Sequence, residues 1–214
     1  MRPIHIKTFD IEEYSPESSH LWGDASLPEG MDWPAYTDED GEEYDYTFIG
    51  QVNLKEIADL NPEGRLPHEG LLSFFGQIDH YLGDYDVEMA IRGFISEPEA
   101  VKVIWTPDTS RLCIHTMLDE NGCNCSPEAM GMSFSNTKET LDEDHGLLVP
   151  PDHREWEQWE HPYEDWEILF QLDSFSGKDF DLNFMDVGVL DFLIDPKDLQ
   201  KRDFSKVRAI VLST

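Results

Sequence analysis

Phe48-Ile49-Gly50-Gln51-Val52-Asn53-Leu54, with Gly70-Leu71-Leu72-Ser73-Phe74-Phe75 behind it, has a counterpart about 120 residues downstream. The counterpart reads Ile168-Leu169-Phe170-Gln171-Leu172-Asp173-Ser174, then Gly188-Val189-Leu190-Asp191-Phe192-Leu193. Each copy is an apolar strand carrying one Gln, an Asn or Asp two residues on, and a Gly that opens a second apolar strand. The Gln-to-Gly separation is 19 residues in one copy and 17 in the other. Two copies at that distance are not a solenoid, which stacks at least three short repeats. They predict an internal duplication, with two similar β-units facing each other across a pseudo-twofold.

The runs around these copies are short and bounded by turn signals such as Asn61-Pro62, Gly83-Asp84, Thr106-Pro107-Asp108 and Asn121-Gly122,. Strands are predicted at Tyr46–Val52, Gly70–Gly76, Val87–Phe94, Val101–Thr106, Arg111–Met117, Met130–Phe134, Glu167–Leu172, Val187–Ile194 and Lys206–Leu212. Few stretches are long enough for crossover helices, so the strands should run antiparallel. Asn53 is placed to cap a helix over Leu54–Leu60 with Glu56 completing a capping box, and Asp195 to cap Pro196–Lys201 with Pro at the first helical position. A third helix is expected over Asp152–Glu160. The fold class is therefore mostly β (β-rich α+β), one domain over residues 1–214, with repeat-like halves at 46–107 and 166–214 and a variable middle at 108–160.

Charge is the second informative property. The 214 residues carry 46 acids against 15 Lys and Arg, a net charge of −31. Residues 1–46 hold 13 acids and 2 bases, and residues 141–167 hold 10 acids and 1 base. Nucleic-acid binding needs clustered bases, so that class is excluded, as is an anionic membrane surface. A basic protein partner or a cationic ligand fits, and so does plain solubility. At 12% aromatic content the chain can build a core, although only 39% is apolar,. The start, Met1-Arg2-Pro3-Ile4-His5-Ile6-Lys7, lacks a signal-like apolar run, and three Cys form no disulfide framework, which together point to the cytoplasm,.

The stretch Leu27-Pro28-Glu29-Gly30-Met31-Asp32-Trp33-Pro34, both copies of the paired motif, Ile194 after the second, and the ending Asp198-Leu199-Gln200-Lys201-Arg202-Asp203-Phe204 resemble the YwqG-like bacterial family, a domain of unknown function. The resemblance runs from about residue 20 to the end and departs most over residues 107–160. It implies a cytoplasmic β roll or α+β fold. It implies no established activity and supplies no functional residues.

Three constellations could carry chemistry. Cys113, His115, Cys123 and Cys125, spaced C-x-H-x7-C-x-C, could hold tetrahedral zinc if the chain turns back at Asn121-Gly122; equally, Cys113 could be a core residue and Cys123 and Cys125 loop thiols,. Gln51 and Gln171, with Asn53 and Asp173, could line a ligand site at the repeat interface, or satisfy one another and fix register. Trp156, Trp159 and Trp166, set among Glu and Asp, could receive a cationic ligand or a basic partner helix, or form the buried stripe of an amphipathic helix. The acidic runs Thr37–Asp45 and Asp142–Asp144 read as solvated loops. No GxGxxG, P-loop, GxSxG or HExxH motif is present,. The reading that follows is a non-catalytic acidic interaction protein for a basic partner, immunity- or antitoxin-like in its narrower form. A small-molecule binder or enzyme with its site between the repeats and a zinc-stabilised structural protein are the alternatives.

Overall fold

The computed structural model describes residues 2–38, 40–78, 90–119, 121–138, 144–151 and 159–212. In chain order its strands are β1 (Ile4–Asp10), β2 (His20–Leu21), β3 (Ala25–Pro28), β4 (Ala35–Thr37), β5 (Glu43–Asp45), β6 (Thr47–Asn53), β7 (Leu71–Gly76) and β8 (Val101–Thr106). Then follow β9 (Leu112–His115), β10 (Met130–Ser135), β11 (His145–Leu147), β12 (Glu167–Asp173), β13 (Phe175–Ser176), β14 (Asp181–Leu182) and β15 (Val189–Ile194). The helix α1 (Pro196–Lys201) leads to β16 (Arg208–Leu212).

Ten strands form one sheet in the order β16-β15-β12-β11-β1-β10-β2-β6-β7-β8, every neighbour antiparallel. The chain is thus mostly β, as its short turn-bounded runs predict. β1 lies in the middle of the sheet, with Ile4 and Ile6 buried and β10 and β11 on its two sides. The outer ends approach each other. Ser96 N donates to Ala209 O at 2.7 Å and Val211 N to Arg92 O at 2.8 Å, so the chain runs along β16 before a 3-10 turn at Pro98–Ala100 delivers it to β8. Leu199 and Phe204 join the core at this seam, Phe204 edge-on to Trp105.

The main core lies inside the curled sheet. Phe74 of β7 meets Phe170 of β12 at a centroid distance of 4.6 Å and Phe192 of β15 at 5.4 Å, in tilted and edge-on arrangements that aromatic rings favour,. Alternation sends the neighbours of these residues to the other face. There Phe48 and Phe75 pack with Ala25, Leu27 and Trp33 under the β3–β9 ribbon, while Ile168, Val189, Leu193 and Ile210 pack with Val149, Trp159 and Trp166.

The two copies of the motif form hairpins of the same register. Gln51 lies opposite Ser73 and Gln171 opposite Asp191; a bulge falls between Phe48 and Gly50 in one and between Ile168 and Phe170 in the other. Each hairpin also has a short strand on its far side, β2 or β11. The Gly that opens each second strand has a steric reason. A Cβ on Gly70 would stand 2.5 Å from Thr106 O, and one on Gly188 would stand 2.1 Å from Leu212 O, the last residue of the adjoining strand in both cases.

Local expectations divide by whether tertiary contacts intervene. Asp195 caps α1 as predicted, its carboxylate accepting from Lys197 N at 2.7 Å. The predicted Leu54–Leu60 helix is instead a run of turns ending in a 3-10 turn at Ala58–Leu60. Asn53 Oδ1 does accept from Lys55 N, but Asn53 N donates to Ser19 Oγ at 2.8 Å, and Glu56 turns to Ser19 N at 3.4 Å, so no capping box forms. The Val87–Phe94 strand falls partly outside the described residues, and its described part, Ala90–Phe94, is bend and coil whose Arg92 carbonyl serves β16. Residues 152–158 of the predicted Asp152–Glu160 helix also lie outside the described residues; Trp159 and Glu160 are not helical.

Candidate functional site

Gln51 and Gln171 sit at corresponding places, and both are fully buried. Neither points between the halves. Gln51 Nε2 donates to Pro16 O and Ser18 O, each at 3.0 Å, and its Oε1 accepts from Ser26 N at 3.0 Å. Gln171 Nε2 donates to Asp144 O at 2.6 Å. The two amides share no partner among these bonds, and Phe74, Phe170 and Phe192 pack against one another where the two hairpins meet. Asn53 and Asp173 serve backbone groups: Asn53 as above, Asp173 by accepting Ser174 N at 2.8 Å next to it and, across the sheet, Asp144 N at 2.9 Å. Burial pushes the Asp173 carboxyl above its ordinary range.

The Cys/His constellation lies on and beyond β9. Cys113 pairs with Leu27 and His115 with Ala25. The chain does turn back, since Gly122 N donates to Asp119 O and Cys125 N to Met117 O, but this sets Cys123 and Cys125 opposite Asp119 and Met117 rather than beside Cys113. Cys123 and Cys125 are exposed. Among the described residues no group of three or more His, Cys, Asp or Glu is placed to hold a metal ion.

Of the tryptophan strip, Trp156 lies outside the described residues. Trp159 is only 7% exposed and its Nε1 donates to Trp166 O at 3.1 Å; Trp166 itself is half-buried against Tyr163. Both described indoles belong to the packing over β12, β15 and β16, so Trp159 has no free face for a partner.

The acidic run Thr37–Asp45 is not a plain loop. Residues 35–37 and 43–45 pair as the β4–β5 hairpin, with Ala35 opposite Asp45 and Tyr36 opposite Tyr44. Asp38 builds the turn: its backbone N–H donates to Glu42 O, and its Oδ1 accepts Asp40 N at 2.9 Å and Glu42 N at 2.8 Å. Gly41, at φ +84°, takes the left-handed position in that turn,. Tyr36 stacks on Tyr44 at 5.7 Å and tilts against Tyr46 at 5.0 Å. Tyr46 anchors the arm by donating its hydroxyl to Glu99 O. All three residues of β5 are exposed. The Tyr44 hydroxyl donates to Glu42 Oε2, and this bond, reinforced by the Glu42, Asp38 and Asp40 charges, pushes its pKa up. The result is an aromatic ladder edged with carboxylates, with Tyr44 exposed, Tyr36 half-buried and Tyr46 buried at its base. The sequence signal for it was Asp40-Gly41 between alternating residues, Tyr36 before and Glu43-Tyr44-Asp45-Tyr46 after,.

No helix among the described residues is long and apolar enough to cross a membrane. The family model described as Domain of unknown function (DUF1963) matches residues 19–147 and 144–211. No curated protein matches the chain.

Proposed function

The chain belongs to the DUF1963 family, a domain of unknown function, and we propose from its surface that it is a non-catalytic acidic interaction protein for a basic partner. The observation that carries this reading is the β4–β5 hairpin. Tyrosines supply rigid contact area at low entropic cost, and the surrounding carboxylates steer a positively charged partner over distances of about a Debye length. The net charge of −31 extends the same attraction. In the narrower form of this proposal the protein is bacterial, cytoplasmic and YwqG-like, the two matched hairpins are a duplicated scaffold, and the partner is a basic toxin that the chain neutralises. A neighbouring gene for a small basic protein would support that narrower form.

The test compares the native chain as bait with a triple variant, Glu42→Gln, Glu43→Gln and Tyr44→Ser. A specific basic protein should stay on the native bait at about 0.05 M salt, leave it near 1 M, where the Debye length falls to roughly 3 Å, and bind the variant several-fold less. Equal retention by the variant, or no specific capture at low salt, overturns the proposal.

A further inference from the structure

β8 ends the sheet, and the direction of its hydrogen bonds can be read from its neighbours. Gln77 N donates to Ala100 O at 3.0 Å, one step beyond the Gly76–Val101 rung. Bonded rungs alternate in an antiparallel ladder, so the bonded pairs are Phe75–Lys102, Ser73–Ile104 and Leu71–Thr106,. The bond from Leu54 N to Gly70 O at 2.9 Å on the opposite side of β7 requires the same phase. Val103 and Trp105 therefore aim their N–H and C=O away from β7, and among the described residues those groups have no hydrogen-bond partner.

That edge is the wall of a groove. Met31, Pro34, Arg202 and Phe204 line it together with Lys102 to Trp105. Arg202 is held firmly. It ends α1 in a left-handed conformation, its N–H bonds back to Asp198 O and Leu199 O, and its guanidinium lies over the Trp105 ring at 5.6 Å. Neither Arg202 nor Lys102 has a carboxylate within ion-pair distance among the described residues, in a chain where acids outnumber Lys and Arg by 46 to 15. Asp203, also in the lining, spends its carboxylate on Ser205 N and Oγ, which holds it below the usual carboxylate range; Asp32 is the other acid there.

We propose that the free edge of β8 takes an extended acidic segment of another polypeptide as an added strand, its backbone on Val103 and Trp105 and its carboxylates against Lys102 and Arg202. Only an extended chain presents donors and acceptors at the two-residue period of the edge, and apolar side chains of such a strand have Met31, Pro34 and Phe204 to rest on. The unpaired cations set the sign of the charge. Repulsion between two copies of net charge −31 disfavours β8-to-β8 self-pairing,.

The probes are two capped heptapeptides, Glu-Val-Glu-Val-Glu-Val-Glu and its lysine counterpart, titrated into the 15N-labelled full chain. The glutamate peptide should shift the Val103 and Trp105 amides and slow their hydrogen exchange, and the lysine peptide should not. Arg202→Gln, on an exposed side chain, should weaken binding roughly 2- to 5-fold, the size of an exposed ion pair. Val103→Pro should abolish it; proline is tolerated where a strand's N–H faces outward. Unmoved Val103 and Trp105 amides, an equal response to the lysine peptide, an unchanged affinity in Arg202→Gln, or a peptide-free dimer paired through β8 in sedimentation would each overturn the proposal.

Discussion

Ser19 and His145 perform one task with different atoms. Ser19 Oγ accepts the backbone N–H of Asn53 at 2.8 Å, and His145 Nδ1 accepts that of Asp173 at 3.0 Å. Each acceptor immediately precedes the residue paired with the buried Gln, and each is followed three residues on by a non-glycine at positive φ, Trp22 at 54° and Leu148 at 50°. Those two residues donate to the carbonyl of the bulged residue, Ile49 or Leu169, at 3.0 and 3.2 Å. The same backbone device is thus built twice with different side chains.

Removing the acceptor should cost what an unsatisfied, largely buried N–H costs. Ser19→Ala is expected to lower unfolding free energy by about 1–2 kcal/mol, measured by urea titration. His145→Ala should cost more, because it also removes a buried ring packed edge-on against Phe175 at 4.7 Å. A neutral Ser19→Ala would show that water satisfies the Asn53 amide.

His20 and His145, both buried, should be opposite tautomers. His20 Nδ1 faces Trp22 O at 2.7 Å, and a carbonyl only accepts, so the proton is on Nδ1,. His145 Nδ1 accepts from a backbone N–H, so its proton is on Nε2. Long-range 15N–1H correlation spectra at pH 7 read this directly, and matching tautomers would contradict the geometry.

Acid should destabilise the fold through His20. Burial depresses its pKa to about 4, against 6.5 ordinarily, with weaker opposing contributions from the Trp22 and Leu21 backbones and Asp24. Between those values the unfolded chain binds the proton and the folded chain does not. Stability from this group is therefore complete above pH 6.5 and is lost as pH falls toward 4, by at most about 3 kcal/mol,. Melting temperatures at steps from pH 7 to pH 4 should fall less steeply for His20→Gln than for the native chain.

Glycine at the start of the second strand should be irreplaceable in both hairpins. Gly70→Ala and Gly188→Ala each drive a Cβ into a backbone carbonyl, and Gly70 also sits at φ +95°. A loss of about 2 kcal/mol or more is expected for each, seen as a lowered denaturation midpoint. Gly30→Ala, at φ +83° but with open space around the added atom, should cost less.

What could be read from the sequence follows the range of the forces involved. The hairpins β6–β7 and β12–β15, the strands β8, β10 and β16 and the cap of α1 were legible because local pattern and tertiary role agree there. Ile4-His5-Ile6 alternates correctly for β1 but is too short to stand out, and β2 and β11 are strands through their partners on both sides, β10 and β6 for the one, β1 and β12 for the other. Periodicity says that a Gln alternates with apolar neighbours, not which face meets the larger core. Here Phe74, Phe170 and Phe192 took the inside, while Gln51 and Gln171 bond to the backbone of neighbouring segments. Trp159 and the Tyr36–Tyr44 pair show the same ambiguity: of the two readings open for the Trp strip, Trp159 takes the buried one, while the acidic run read as a solvated loop carries an exposed ring, Tyr44.

The position of β1 has a consequence for the order in which the chain can be made. Its partners are Met130–Ser135 and His145–Leu147, so about 120 further residues must follow β1 out of the ribosome before that strand has anything to pair with,. Until then β6, β7 and β8 can form their meander, but Ile4 and Ile6 have no complete site. The residues of β1 are made before every other strand of the sheet and are among the last to be fixed in place, and they join the five strands on one side of the sheet to the four on the other. Any factor that holds β1 during synthesis would delay closure of the whole sheet rather than one edge of it.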